Sequence, residues 1–299
     1  MRLPSLPALA LALLLAPAAH AEVPVVATDI PPVQSLVALV MGELGAPVLL
    51  MDRGADAHDY QMRPSQARAL DGAALLVWIG QDMTPWLQQA AAARAEGTSL
   101  ALLDVADTRL RRFAPDNGDD HGTTDPHAWL DPTNAQAWLA AISDALSALD
   151  PGNSATYAAN AAAAGEAVAA LDRDLQARLV PAQSTPIVTE HDAYGYFSDR
   201  YGLTVVGSLA AGDAAAPGAA RLTAIREAAT GAAGSSCIFP EAGHDPRLSE
   251  QMASDLGLRL GDFSRLFDSC LFRLGRRFGR RLHGRLFVFL VIVLRRFCG

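Results

Sequence analysis

Lysine is absent from the 299-residue chain. Every basic side chain is arginine or histidine, and alanine is abundant, a pattern that reads as coding bias and not as chemistry. Cysteine is scarce: Cys237, Cys270 and Cys298 all sit in the last quarter. An odd count leaves at least one thiol outside any internal pair. No cysteine near the N-terminus argues against a lipid-anchored lipoprotein. The apolar runs are too short for a transmembrane helix, which takes about 20 residues. Positive charge is in deficit, with a formal net charge of -8, which argues against a nucleic-acid partner and suits a soluble protein. No short metal signature such as His-Glu-x-x-His occurs.

What is present begins with a secretory leader. Arg2 supplies a positive charge, residues 9–16 an apolar run, and Ala19 and Ala21 the small residues of a cleavage site. Residues 1–21 are therefore predicted to be a signal peptide. The mature chain then starts at Glu22 in an exported compartment, where a disulfide is permissible.

The mature sequence alternates short strand-like runs with helical ones. Strands are predicted over 24–27, 47–51, 74–79 and 100–105, with helices over 32–43, 65–70 and 84–96. Two helices follow, 133–149 and the unusually long 153–179. The alternation then restarts, with strands over 186–190, 204–208 and 236–240 and helices over 194–201, 219–229 and 247–256. Such alternation implies parallel β-α-β units. The expected fold is α/β. Two lobes of parallel sheet flanked by helices, at 22–150 and 181–261, are joined by one long backbone helix at 151–180. Trp129, Trp138, Tyr194, Tyr196 and Phe197 are expected to pack the lobe interface and the floor of the cleft.

Three histidines follow predicted strands: His58, His127 and His191. Ligand sites of open α/β sheets collect beyond the carboxyl ends of strands, so all three rings are placed to meet between the lobes. Imidazole nitrogen suits Zn2+, which takes about four ligands in a tetrahedron. Three histidines leave one place for a carboxylate or water. That geometry serves a receptor or a catalytic zinc equally well, and spacing alone leaves each ring readable as an ordinary polar histidine.

The flanking residues carry a resemblance. Gly54-Ala-Asp-Ala-His58-Asp-Tyr60, Thr124-Asp-Pro-His127-Ala-Trp129-Leu-Asp-Pro132 and Glu190-His191-Asp-Ala-Tyr-Gly-Tyr-Phe197 together resemble the zinc-uptake substrate-binding proteins of ABC transporters. These belong to a metal-receptor cluster that also includes manganese receptors. The resemblance runs from about Val23 to Gly261. It implies a monomeric periplasmic receptor that delivers Zn2+ to an inner-membrane ABC permease, with His58, His127 and His191 as metal ligands. Imidazole at the third position, where manganese receptors place a carboxylate, implies zinc.

The resemblance also bears on other residues. Asp56 stands where zinc receptors often carry a carboxylate, and equally reads as a turn-forming Asp. Asp262 and Asp268 fall near the family's other carboxylate position. Asp119, Asp120 and His121 look like a short form of its metal-gathering loop, though their composition reads as a solvated loop. Cys237 is expected to pair with Cys270 or Cys298. His244 reads as a surface residue. Two alternatives stay open: a manganese or iron receptor on the same scaffold, and a secreted zinc hydrolase. The hydrolase would need Glu190 as general base, and on a strand Glu190 would point away from His191.

Beyond Gly261 the composition breaks. No alanine follows Ala253 and no glutamate follows Glu250, while nine of the 35 residues from Arg265 to Gly299 are arginine. Seven of the ten phenylalanines lie after Gly261. A basic amphipathic membrane-associating tail would look like this. Translation in a shifted frame accounts better for a simultaneous change in every compositional measure. Mass spectrometry of the natural protein is expected to find no Arg/Phe-rich peptides from 262–299, and their detection would refute the frame shift.

Overall fold

A computed structural model describes residues 22–52, 54–95, 98–113, 123–210, 218–230, 236–240 and 246–261. In the first lobe four strands form a parallel sheet: β1 (Val26–Thr28), β2 (Val48–Leu49), β3 (Leu75–Trp78) and β4 (Ser99–Ala101), in the order β2-β1-β3-β4. The crossovers are α1 (Pro31–Met41), α2 (Pro64–Asp71) and the short α3 (Gln88–Ala92). Pro31 and Pro64 open their helices at a position where the missing N–H costs nothing. All four residues of β3 are buried, as expected of a strand covered by helices on both faces.

The second lobe repeats the plan. Strands β5 (Pro186–Thr189), β6 (Thr204–Ser208), β7 (Cys237–Phe239) and β8 (Arg259–Leu260) are all parallel and run β6-β5-β7-β8, the same order as in the first lobe. Its helices are α6 (Gly195–Tyr201), α7 (Ala219–Thr230) and α8 (Arg247–Leu256). In both sheets the strand order reverses beside the central pair, which opens the crevice where α/β proteins bind ligands.

Between the sheets lie α4 (Pro132–Leu149) and α5 (Ser154–Leu179). Asp131 caps α4 by accepting the Thr133 N–H at 2.9 Å. The 26 residues of α5 correspond to about 39 Å at a rise of 1.5 Å per residue. Its buried residues, Tyr157, Ala161, Ala164, Val168, Leu175 and Leu179, form a single stripe at helical spacing. That stripe belongs to the largest apolar core, which takes in α1, β1, β3 and α4 and reaches Tyr196, Phe197 and Tyr201 of α6. The lobes thus share a core. The second lobe has two smaller clusters of its own, around Val188 and Ile238 and around Ile187 and Phe239.

Two polar groups, one buried and one half-buried, fasten this frame. Asp29, just past β1, accepts the N–H groups of Ile30 at 2.7 Å and Ile79 at 2.8 Å and joins the ends of β1 and β3. Burial raises its pKa to about 6 against the pull of these donors. Asp172 on α5 accepts from Arg200 Nε at 2.8 Å and Tyr201 Oη at 3.0 Å, with Arg200 Nη2 on its other oxygen. This holds α6 against the long helix.

The structure departs from the sequence expectations in a few places. β4 stops at Ala101, and Leu102–Asp104 is a 3-10 turn that buries both Leu102 and Leu103 while the Leu103 N–H reaches Ile79 O at 3.0 Å. The helix expected over 84–96 is a 3-10 turn, Pro85–Leu87, running into α3. β5 ends at Thr189, so strand alternation does not govern Glu190 and His191. The exposed two-residue β8 had no apolar pattern to announce it. Among the described residues no helix is long and apolar enough to cross a membrane.

The Arg200 hydrogen bond holds the Asp172 carboxyl below its ordinary pKa, although burial opposes this. Ionisation is therefore easier in the folded chain. The stabilisation is complete above the unfolded value of about 3.9 and is lost as pH falls through the lower folded value. Asp172→Ala is expected to lower unfolding free energy near neutral pH by about 1.5–3 kcal/mol, read by urea denaturation. The difference from wild type should shrink in acid.

Candidate metal centre

The three histidines come from three separate connections, those that follow β2, β4 and β5. His58 lies in the loop from β2 to α2. Asp56 Oδ1 accepts the His58 N–H at 2.9 Å and closes a tight turn. The Trp86 indole N–H donates to Ala57 O at 2.8 Å, and Gln66 donates to the Tyr60 hydroxyl at 2.7 Å. Both tether the loop to the first lobe.

His127 is 2% exposed and Asp125 is fully buried. Asp125 repeats the turn seen at Asp56, with Oδ1 accepting the His127 N–H at 3.0 Å. The same oxygen also lies 2.8 Å from His127 Nδ1. A carboxylate offers only lone pairs, so Nδ1 carries the proton and Nε2 presents its lone pair to the space between the lobes. Four residues further on, Asp131 caps the start of α4 and fixes the backbone.

Asp125 is itself held from both lobes. Its N–H donates to Arg111 O at 2.9 Å, and Arg111 Nη1 donates to Oδ2 at 3.1 Å. The Tyr196 hydroxyl donates to Asp125 O at 3.0 Å and accepts the Arg111 N–H at 2.8 Å. Burial pushes the Tyr196 hydroxyl up to about 12, so it stays a donor. Burial opposes charge on Arg111 too, but the hydrogen bond to Asp199 and the charges of Asp125, Asp199 and Asp192 outweigh it and raise its pKa.

His191 follows β5 directly, in a bend where Ala193 N–H meets His191 O at 3.0 Å. Its Nε2 is 3.3 Å from His127 Nε2. The His58 and His127 ring centroids are 5.4 Å apart, and those of His127 and His191 are 5.2 Å apart. Trp129 and Phe113 flank His127, and Tyr194 flanks His191. The next residue, Asp192, has its pKa raised by burial, partly offset by Arg111.

Nitrogens bound to tetrahedral zinc at 2.0–2.1 Å are separated by about 3.3–3.4 Å. The His127–His191 pair already has that spacing, so the nitrogen donors fit a Zn2+ ion. Among the described residues no group of three or more His, Cys, Asp or Glu side chains is closed on a metal position.

The other residues singled out in the sequence fall elsewhere. Trp138, Tyr196 and Phe197 are buried in the main core, and Trp129 and Tyr194 pack against it. Cys237 is fully buried at the start of β7. Asp119, Asp120, His121, His244, Asp262, Asp268, Cys270 and Cys298 lie outside the described residues. Sequence reasoning missed the roles of Asp125, Arg111 and Trp86. Only Asp125 left a signal, since it stands two residues before a histidine as Asp56 does.

Two parallel α/β lobes on a long helix, with imidazoles meeting between them, define a bilobed metal receptor. The family described as "Zinc-uptake complex component A periplasmic" matches residues 25–267, and the chain belongs to it. The high-affinity zinc uptake system protein ZnuA of Paracoccus denitrificans is 45% identical over 276 residues, covering 81% of this chain and 83% of that protein. A crystal structure of ZnuA superposes with a TM-score of 0.68 at 26% identity, covering 79% and 88% of the two chains. A laminin-binding adhesin from Streptococcus agalactiae shares the fold, with a TM-score of 0.70 at 21% identity over 81% and 89%.

Asp125→Ala would leave the His127 Nδ1–H without its acceptor. The expected result is a mixture of His127 tautomers in imidazole 15N NMR, where wild type shows the Nδ1–H form alone. Stability should fall by about 1–3 kcal/mol.

Proposed function

We propose that this protein captures Zn2+ between its lobes through His58, His127 and His191 and surrenders it to an ABC importer. The observation that carries the reading is the 3.3 Å separation of His127 and His191 Nε2, with the Asp125 carboxylate turning the His127 lone pair toward that gap. Nitrogen donors favour zinc over the harder Mn2+, which prefers oxygen. The fourth position is for a carboxylate, and Asp56, Asp262 and Asp268 are the ones to test. Zinc must compete with protons for the imidazoles, so affinity falls as pH is lowered.

The same reading makes the chain a carrier without catalytic turnover of its own. It acts as a periplasmic monomer after loss of residues 1–21 and docks on a permease in the inner membrane. Residues 22–150 and 181–261 form its lobes and 151–180 the linking helix, with 262–299 an out-of-frame tail. The segment with Asp119, Asp120 and His121 is at most an accessory metal-gathering loop, and Cys237 pairs with Cys270 or Cys298. The core shared across α4, α5 and α6 favours metal entry by ring and loop adjustment over wide lobe closure.

Calorimetric titration of the metal-free mature protein tests this. One Zn2+ per chain is expected, bound more tightly than Mn2+. His58→Ala, His127→Ala and His191→Ala should each weaken it by more than the about 10–100-fold typical of losses behind the ligands. Preference for Mn2+ would overturn the metal assignment, and hydrolysis of esters or peptides would overturn the carrier role.

A further inference from the structure

We infer that Arg111 is a positioning residue for metal capture, a single guanidinium from which the His127 lobe and the His191 lobe are both hung. The inference rests on the zinc-receptor reading above.

On one side, Arg111 Nη1 holds Asp125 Oδ2 at 3.1 Å, and Asp125 Oδ1 holds His127 Nδ1 at 2.8 Å. On the other, Arg111 Nε donates to Asp199 Oδ2 on α6 at 3.0 Å. The guanidinium also lies over the start of α6. A Cβ on Gly195 would fall 2.2 Å from Arg111 Cζ and Nη1, so a side chain there would push the guanidinium from its present place. Gly195 is four residues past His191, and the short bend between them is closed by the Ala193 N–H. The path from one ring to the other therefore runs His127, Asp125, Arg111, Gly195, His191, with no long flexible segment.

The planar fork matters here, because it meets two carboxylates in fixed directions where a point charge would not. Arg111 is only 27% exposed on its side chain and Asp125 not at all, while Asp199 is 68% exposed. The Asp125 contact and the packing on Gly195 thus carry the tie, and the solvated Asp199 pair adds little. Under the inference, Gly195→Ala leaves every charge in place yet displaces the fork and alters the spacing of the rings.

The test uses the mature chain with zinc alone, titrated against a competing chelator, and circular dichroism of the metal-free form. Arg111→Gln and Gly195→Ala are each expected to weaken Zn2+ about 10–100-fold with unchanged secondary structure, and to shift the d–d bands of the Co2+-loaded protein. Because both act through one contact, the double variant should bind no more weakly than the weaker single. Wild-type affinity in Arg111→Gln, or losses that multiply in full, would overturn the proposal. If Arg111→Gln does not fold, Gly195→Ala decides on the same affinity and spectrum. His127→Ala separates the two readings. If it binds zinc like wild type, the receptor site itself is wrong. If it loses zinc while Arg111→Gln keeps it, only the role of Arg111 falls.

Discussion

One carboxylate facing one imidazole is the contact on which the site depends. Asp125 lies fully buried beside an almost fully buried His127, and a carboxylate so placed can only accept. It forces the ring proton onto Nδ1 and leaves Nε2 as a lone pair aimed between the lobes. A metal receptor gains from such preparation, because a ring in the Nε2–H tautomer would offer a proton to an incoming cation. The cost of burying Asp125 is met by donors from both lobes, Arg111 and His127 on its oxygens and Tyr196 on its carbonyl.

The scaffold around that contact is packed continuously from lobe to lobe. The apolar stripe of α5 packs with α1 and α4 in the same cluster as Tyr196, Phe197 and Tyr201 of α6. Asp172 and Arg200 then lock α6 onto α5. Both contacts tie the second lobe to the long helix. What remains adjustable is local: the His58 loop, held by Trp86 and Tyr60 at its flanks, and the bend that carries His191. The two sheets repeat one strand order, and each lobe brings an imidazole to the same gap, His127 from the first and His191 from the second.

Much of this was legible in the residues. Short runs such as Leu75–Trp78 and Pro186–Thr189 are apolar on both faces, which marks buried parallel strands, and their alternation with helices announced the architecture. The Asp-Pro-His and Glu-His-Asp segments pointed to the histidines. Other features were silent. β4 gave way to a 3-10 turn because Leu102 and Leu103 both found buried places, and periodicity cannot see that. β8 is exposed and two residues long, so it pairs through its backbone and not through a pattern. Arg111 was one arginine among many, since nothing local distinguishes an arginine that lies over a distant glycine.

The sequence by itself determined the α/β alternation and most of the element types, because these follow from local chemistry and short-range periodicity. Only the tertiary structure decided that His127 and His191 meet at 3.3 Å, which ring nitrogen of His127 faces the gap, and which arginine joins the lobes. The tautomer depends on a buried Asp125 two positions away, and the meeting of the rings and the reach of Arg111 depend on contacts between residues 14 to 88 positions apart. No periodicity or spacing rule reaches that far; packing around a shared core does.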